Sequence, residues 1–182
     1  MSFKQFLTER RNKYDYSSLM LELPEYLSDN IISWGYDYVP NEDLFLDPED
    51  PTFGREDDIH ITLIYGLHTI SSKEVSRQIQ EKSFDVELGE MGLFTKSTKF
   101  DVLIINAECN MLHKLHNKIQ SSLEVTKSHP LYVPHVTIAY LKKGAGSKFI
   151  GNKDFKDEKF KVDKLIFSSK TGVKTPIKLG AI

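Results

Sequence analysis

Two stretches of this chain carry one pattern: Asp58-Ile59-His60-Ile61-Thr62-Leu63-Ile64-Tyr65 and Pro134-His135-Val136-Thr137-Ile138-Ala139-Tyr140. β-branched residues dominate both, and turn-prone residues bound them, so each reads as a short strand. Side chains two apart in a strand share a face. His60 and Thr62 therefore point one way, with Ile61, Leu63 and Tyr65 opposite. His135 and Thr137 repeat this, against Val136, Ile138 and Tyr140. Each strand offers an apolar face to a core and an imidazole–hydroxyl face to something else. A fold for this chain has to accommodate that arrangement twice.

The surroundings of the two strands also repeat. In the first half a strand over 17–23 leads to a helix over 24–34, opened by Pro24 and stopped by Gly35. Leu27, Ile31 and Trp34 recur there at helical spacing, and Trp34 reads as a core aromatic. After the first motif, Ser71 N-caps a helix running to about residue 82, followed by a strand over 84–88. In the second half a strand over 100–107 leads to an amphipathic helix over 110–124, with Leu112, Leu115, Ile119 and Leu123 facing the core. His113 and His116 fall on its other faces and read as exposed. A Lys/Gly loop over 142–151, a weak helix over 152–158 and a strand over 160–168 close the repeat. His60 lies 24 positions before Phe84, and His135 lies 25 before Phe160. The lead-in of the first half is longer by an acidic loop, 41–58, whose carboxylates lack the spacing and central glycine of an EF-hand. That loop reads as solvated.

Composition excludes several classes. With 182 residues, 40% of them hydrophobic, the chain suits a single domain with a sizeable core. A formal net charge of −2 disfavours a protein held on long duplex nucleic acid by bulk electrostatics. Cys109 is the only cysteine, so disulfides within the chain and cysteine-based zinc sites are excluded. No apolar run reaches membrane-spanning length and no signal sequence is evident, which points to the cytoplasm.

Two His-x-Thr strands in one small chain resemble the 2H phosphoesterase (LigT-like) superfamily, over a span from about Leu19 to Phe167. The resemblance implies an α+β fold: one bilobal domain over 1–182, with antiparallel sheets and outer helices enclosing a central groove. The lobes would cover about 17–98 and 99–182, with 1–14 as an extension. It also implies a phosphodiesterase. Members act on 2′,3′-cyclic phosphates, on 2′–5′ linkages or on cyclic nucleotides, and phage members include anti-CBASS nucleases that degrade cyclic di- and trinucleotide signals. The opening Met1-Ser2-Phe3-Lys4-Gln5-Phe6-Leu7 resembles those of tailed-phage proteins. It favours the anti-CBASS reading and, with it, the host cytoplasm.

The chemistry of the four motif residues fits such a role. Histidine titrates near neutrality, so one imidazole can accept a proton while the other donates one. Thr62 and Thr137 can hydrogen-bond the phosphoryl oxygens as charge develops. His60, Thr62, His135 and Thr137 are thus the catalytic candidates, with no metal or other cofactor called for. Either histidine could be the base. Tyr14, Tyr16 and Phe94 sit at strand ends where aromatics can stack on bases, and Arg55, Lys170 and Thr171 could meet a phosphate. These six are the candidates for substrate binding. His68 and His129 have no matching threonine and read as structural or exposed. The expected partner is a cyclic oligonucleotide or a short RNA with a cyclic phosphate; no membrane and no obligate protein partner is implied. An RNA 2′,3′-cyclic phosphodiesterase or 2′–5′ ligase-like enzyme, and a nucleotide-binding protein without activity, remain the alternatives.

Overall fold

Strand β2 (His60–Leu67) carries the first motif and strand β5 (His135–Lys142) the second, and one backbone pair, Ile61 with Val136, joins them. The computed structural model describes residues 14–127 and 131–180. Residues 1–13 of the expected extension and His129 lie outside them.

Six further strands extend the sheet on both sides: β1 (Ser17–Glu22), β3 (Phe84–Phe94), β4 (Phe100–Glu108), β6 (Lys159–Val162), β7 (Lys164–Ser168) and β8 (Lys174–Lys178). Their order is β6-β3-β4-β5-β2-β1-β7-β8, antiparallel throughout. Only Asp163 separates β6 from β7, yet β6 pairs with β3 and β7 with β1. The sheet must therefore curl until its two flanks approach each other. One continuous strand over 160–168 cannot bond to both flanks, and this is why the expected strand divides in two.

The same pairing corrects the expected lobes. The halves of the sheet are β2-β1-β7-β8 and β5-β4-β3-β6, so β3 leaves the first half for the second, while β7 and β8 return to the first. The lobes are not contiguous segments meeting at residue 98. The half β5-β4-β3-β6 comes from the middle of the chain, 84–162, and the half β2-β1-β7-β8 from the stretches on either side of it.

Helix α1 (Glu25–Tyr38) buries Leu27, Ile31 and Trp34, as its spacing predicts. It runs past Gly35, which is not a stop. A side chain at Gly35 would stand 3.4 Å from Ile138, so the glycine permits close contact between α1 and β5. Trp34 is a core residue, 7% exposed, whose indole N–H donates to Asp154. Helix α2 (Ser72–Ser76) has the predicted Ser71 cap but is short. Beyond it, Gln78 and Ile79 donate to Val75 and Ser76, three residues back, and the tightened turn does not continue as helix. Helix α3 (Asn110–Ser122) buries Leu112, Leu115 and Ile119. Residues 152–158 form turns instead of a helix, because their backbone bonds to β3: Met91 donates to Asn152, and Leu88 exchanges bonds with Asp157 and Glu158.

The acidic loop has a structural role. Strands β2 and β5 diverge beyond their one pair, and the loop fills the space along β5. Phe45 donates to Tyr140, Tyr140 to Gly54 and Glu56 to Ile138, all between backbones. Phe45 and Phe53 then pack with Phe100 and Tyr140, ring centroids 5.0–5.6 Å apart.

Candidate active site

The two motif strands share an irregularity that defines the site. Along β1, Leu19 pairs with Ile64 but Met20 with Thr62, so Leu63 is passed over. Along β4, Leu103 pairs with Ala139 but Ile104 with Thr137, so Ile138 is passed over. Each is a β-bulge, one extra residue that bends the strand and shifts its alternation. Consequently Leu63 and Ile64 are both buried, as are Ile138 and Ala139. Tyr65 and Tyr140, expected on the apolar face, come round to the side of the histidines and threonines. Tyr65 is 39% exposed there.

Before the bulges the alternation holds. Ile61, Leu63 and Val136 are completely buried and Ile138 is 2% exposed, while His60, Thr62, His135 and Thr137 are half-buried. One residue either side of the Ile61–Val136 pair, the register sets Thr137 across from His60 and Thr62 across from His135. The four polar side chains therefore form one crossed patch on one face of the sheet. Among the described residues no hydrogen bond engages either threonine hydroxyl.

The rings are held alike. His60 Nδ1 lies 2.5 Å from the carbonyl of Asp58, and His135 Nδ1 lies 2.7 Å from the carbonyl of Val133. A carbonyl only accepts, so Nδ1 carries the hydrogen in both. That fixes the tautomer and makes Nε2 the atom through which each ring would exchange a proton.

Their surroundings differ. Glu22 is the β1 partner of His60, whereas Asn106 is the β4 partner of His135 and donates to the Glu90 carbonyl at 2.8 Å. Asp58 is held twice more: its N–H donates to Glu56 at 3.0 Å, and its carboxylate accepts from Lys174 Nζ at 2.8 and 3.0 Å. Lys174 also lies 3.8 Å from Glu22. Burial would lower the Lys174 ammonium, but the Asp58 bond and charge outweigh it and hold it above the ordinary lysine range. Burial pushes the Glu56 carboxyl up, against the Asp58 N–H and His60, which pull it down. Beside His135 stands Phe94, edge-on, with ring centroids 4.7 Å apart.

A second layer supports the first motif from behind. Tyr132 donates its hydroxyl to the Thr62 carbonyl at 3.1 Å, and His116 Nδ1 donates to the Leu63 carbonyl at 2.8 Å. The two rings stack with centroids 4.1 Å apart. His116 is thus half-buried and bonded to the bulge, not simply exposed as its place on the helix predicts; His113 is exposed.

The other candidates separate. Phe94 joins the site. Tyr16 packs edge-on to Tyr65 and against His68, at 5.9 and 5.2 Å. His68 is otherwise engaged with Thr126 and Glu124, as a structural residue would be. The Tyr14 N–H donates to the Lys170 carbonyl, and the Lys170 N–H to Ser17 Oγ, so these residues and Thr171 gather at the Ser17 end of β1, with Tyr14 within electrostatic reach of Lys174. Arg55 is turned away. Its guanidinium donates to the carbonyls of Gly35 and Val39 and to Asn41, and lies 4.7 Å from the Tyr36 ring centroid, closing the C-terminal end of α1. Its guanidinium, expected to meet a phosphate, is thus engaged by the fold itself. Sequence reasoning missed Lys174, Glu22, Glu56 and Asn106, because their approach depends on strand pairing between distant segments. Among the described residues no group of three His, Cys, Asp or Glu side chains is arranged to hold a metal ion.

Comparison with known proteins gives two findings. The model of one protein family, described as anti-CBASS protein Acb1, matches residues 51–169. No curated protein matches. Among solved structures, Escherichia coli LigT in its apo form is 18% identical over 90% of this chain and 96% of that one, with a TM-score of 0.65. LigT complexed with 3′-AMP is also 18% identical, over 90% and 94%, with a TM-score of 0.64. A Thermus thermophilus protein is 14% identical over 90% and 95%, with a TM-score of 0.60. The fold is that of LigT: α+β, built on a curled antiparallel sheet.

Proposed function

Since the chain belongs to the family of the anti-CBASS protein Acb1, we propose that it is a phosphodiesterase that opens cyclic oligonucleotide signals, 3′–5′-linked cyclic di- or trinucleotides. The observation that carries this reading is the matched tethering of the two histidines, each with Nδ1–H on the carbonyl two residues before it. In the proposed course one Nε2 takes the proton of a ribose 2′-hydroxyl as that oxygen bonds to phosphorus. The other protonates the departing 5′-oxygen as its bond to phosphorus breaks. The product is a 2′,3′-cyclic phosphate, which water can then open. Thr62 and Thr137, set across from the opposite histidine, would donate to the phosphoryl oxygens as their charge grows. None of these steps requires a metal.

Support for a nucleotide ligand comes from LigT, which carries 3′-AMP on this fold. Phe94, Tyr16 and Tyr65 supply aromatic surface beside or beyond the motif residues. No helix among the described residues is long and apolar enough to cross a membrane.

Incubation with 3′,3′-cyclic dinucleotides in EDTA tests the proposal, with linear products expected. His60→Ala and His135→Ala should each lose about 10²–10⁴-fold in rate while remaining folded. Inertness toward every cyclic dinucleotide and trinucleotide, alongside turnover of RNA ending in a 2′,3′-cyclic phosphate, would instead identify an RNA-processing enzyme. Stoichiometric binding with recovery of intact ligand would identify a sequestering protein.

A further inference from the structure

Around Asp58 three distant parts of the chain converge: the segment 56–60, β8 and β1. Its carbonyl holds His60, its N–H is held by Glu56, and its carboxylate is held at two oxygens by Lys174 of β8, 116 positions later. Glu22 of β1, the strand partner of His60, draws on the same ammonium at 3.8 Å. The setting of His135 differs: its carbonyl acceptor belongs to Val133 and its β4 partner is the uncharged Asn106.

We propose that Lys174 is a positioning residue for His60, fixing the Asp58 carbonyl that sets the ring's tautomer and neutralising the carboxylates beside it. The inference rests on the reading above, in which His60 exchanges a proton. Its physical basis is the triple restraint of Asp58. With N–H, carboxylate and carbonyl each bonded, the peptide at residue 58 has one orientation, and Nδ1–H one acceptor. Without Lys174, the carboxylates of Asp58 and Glu22 lose their shared cation and repel each other, and the carbonyl is free to turn. The charged groups around His60 are then Glu22, its partner on β1, with Lys164 of β7 at 3.7 Å from it, and Glu56 of the loop, which has Asp57 and Asp58 beside it. On β5 the residue across from His60 is the uncharged Thr137, with His135 diagonal to it. That balance is negative, and negative charge favours the protonated ring. Lys174 makes no contact with the proposed reacting atoms and acts only through Asp58 and Glu22.

The test is Lys174→Met, with Lys174→Arg as the conservative variant and Lys178→Met on the same strand as the control. In Lys174→Met, kcat should fall about tenfold, a part of what the imidazole itself contributes, with KM within about twofold. The limb of the pH–rate profile that belongs to His60 should move to higher pH. Lys174→Arg should restore both, and Lys178→Met should change neither. Nitrogen-15 spectra of the imidazoles should show His60 as the Nδ1–H tautomer in the wild type and a mixture in Lys174→Met. Asp58→Asn, which breaks the pair from the other side, should reproduce the spectra and the lowered kcat if Lys174→Met does not fold. Equal loss of kcat, substrate affinity and melting temperature, with no movement of the pH profile, would overturn the proposal. An unchanged tautomer in both variants would do the same. If the wild type cleaves no phosphodiester, the proposed function fails, but the spectra still decide this assignment.

Discussion

Leu63 and Ile138 are the same residue twice over: each lies three positions after a motif histidine, and each is passed over in the pairing of its strand with its neighbour. The bulges shift the alternation immediately after the threonine, so that a tyrosine is the next residue on that face. They also leave a carbonyl off the ladder, and different partners take it up. His116 donates to that of Leu63, and Glu56 to that of Ile138. The likeness of the two motifs thus extends to their backbone, while the groups that stabilise them are unrelated.

Thr62→Val and Thr137→Val should separate binding from catalysis. Each removes a hydroxyl that no described residue engages, so stability should change little. If the hydroxyls meet phosphoryl oxygens chiefly in the transition state, kcat should fall by about 10²-fold with KM nearly constant. Steady-state kinetics on a cyclic dinucleotide checks this, and a rise in KM alone would assign the threonines to ground-state binding.

Arg55→Met should cost stability and not chemistry. The guanidinium donates to two carbonyls at the end of α1 and to Asn41, and such bonds contribute about 1 kcal/mol each, less where exposed. A loss of about 1–2 kcal/mol in denaturant unfolding is expected, with kcat/KM unchanged for the folded fraction. A large increase in KM would return Arg55 to the substrate.

Asp101 predicts the acid limb of the stability profile. Its side chain is 3% exposed and lies 2.7 Å from Lys143 Nζ. It also accepts from the Gly144 N–H at 2.7 Å. Burial pushes the carboxyl up, but the Lys143 and Gly144 bonds outweigh it and hold it below the ordinary aspartate range. A lowered folded value means that the unfolded chain binds the proton first. The contribution is therefore present at neutral pH and is lost as pH falls below about 4, through the folded value. Asp101→Asn should lower stability at pH 7 by about 1–3 kcal/mol, with Lys143 half exposed. The gap to wild type should narrow steadily below pH 4 in chemical denaturation. A gap independent of pH would refute the ionised form.

Gly66→Ala should abolish folding. Gly66 has φ +98°, and an added Cβ would lie 2.1 Å from the Thr126 carbonyl oxygen. That same segment is tied to β2, since the Thr126 N–H donates to the Gly66 carbonyl at 2.9 Å. Neither side can move without losing the bond. Soluble yield and circular dichroism report the outcome, and a native-like variant would show that the 124–126 segment is free to shift.

The motif strands, the core side of α1 and α3, and the four central polar residues were all legible in the sequence. They depend on period-two and helical spacing, which act within one element. What depended on pairing between distant segments was not. Strict alternation puts Tyr65 and Tyr140 on the apolar face, because nothing in the sequence marks the bulge that adds one residue to it, and Leu63 looks like any other strand leucine. Arg55 looked free for an anion because the end of α1 was set too early, at Gly35. Lys174 gave no signal at all, for its partners Asp58 and Glu22 lie more than a hundred positions upstream. Asp101 was hidden inside an apolar run, and its partner Lys143 lies in the turn after β5.

The single residue between β6 and β7 has a further implication. Because the chain crosses at Asp163 from one flank of the sheet to the other, neither the first hundred residues nor the last eighty make up a self-sufficient unit. Each fragment would display strand edges awaiting a partner from the missing piece, and such edges invite intermolecular association. Productive folding must await synthesis of the final strands, whose pairing with β1 spans nearly the entire polypeptide and is intrinsically slow.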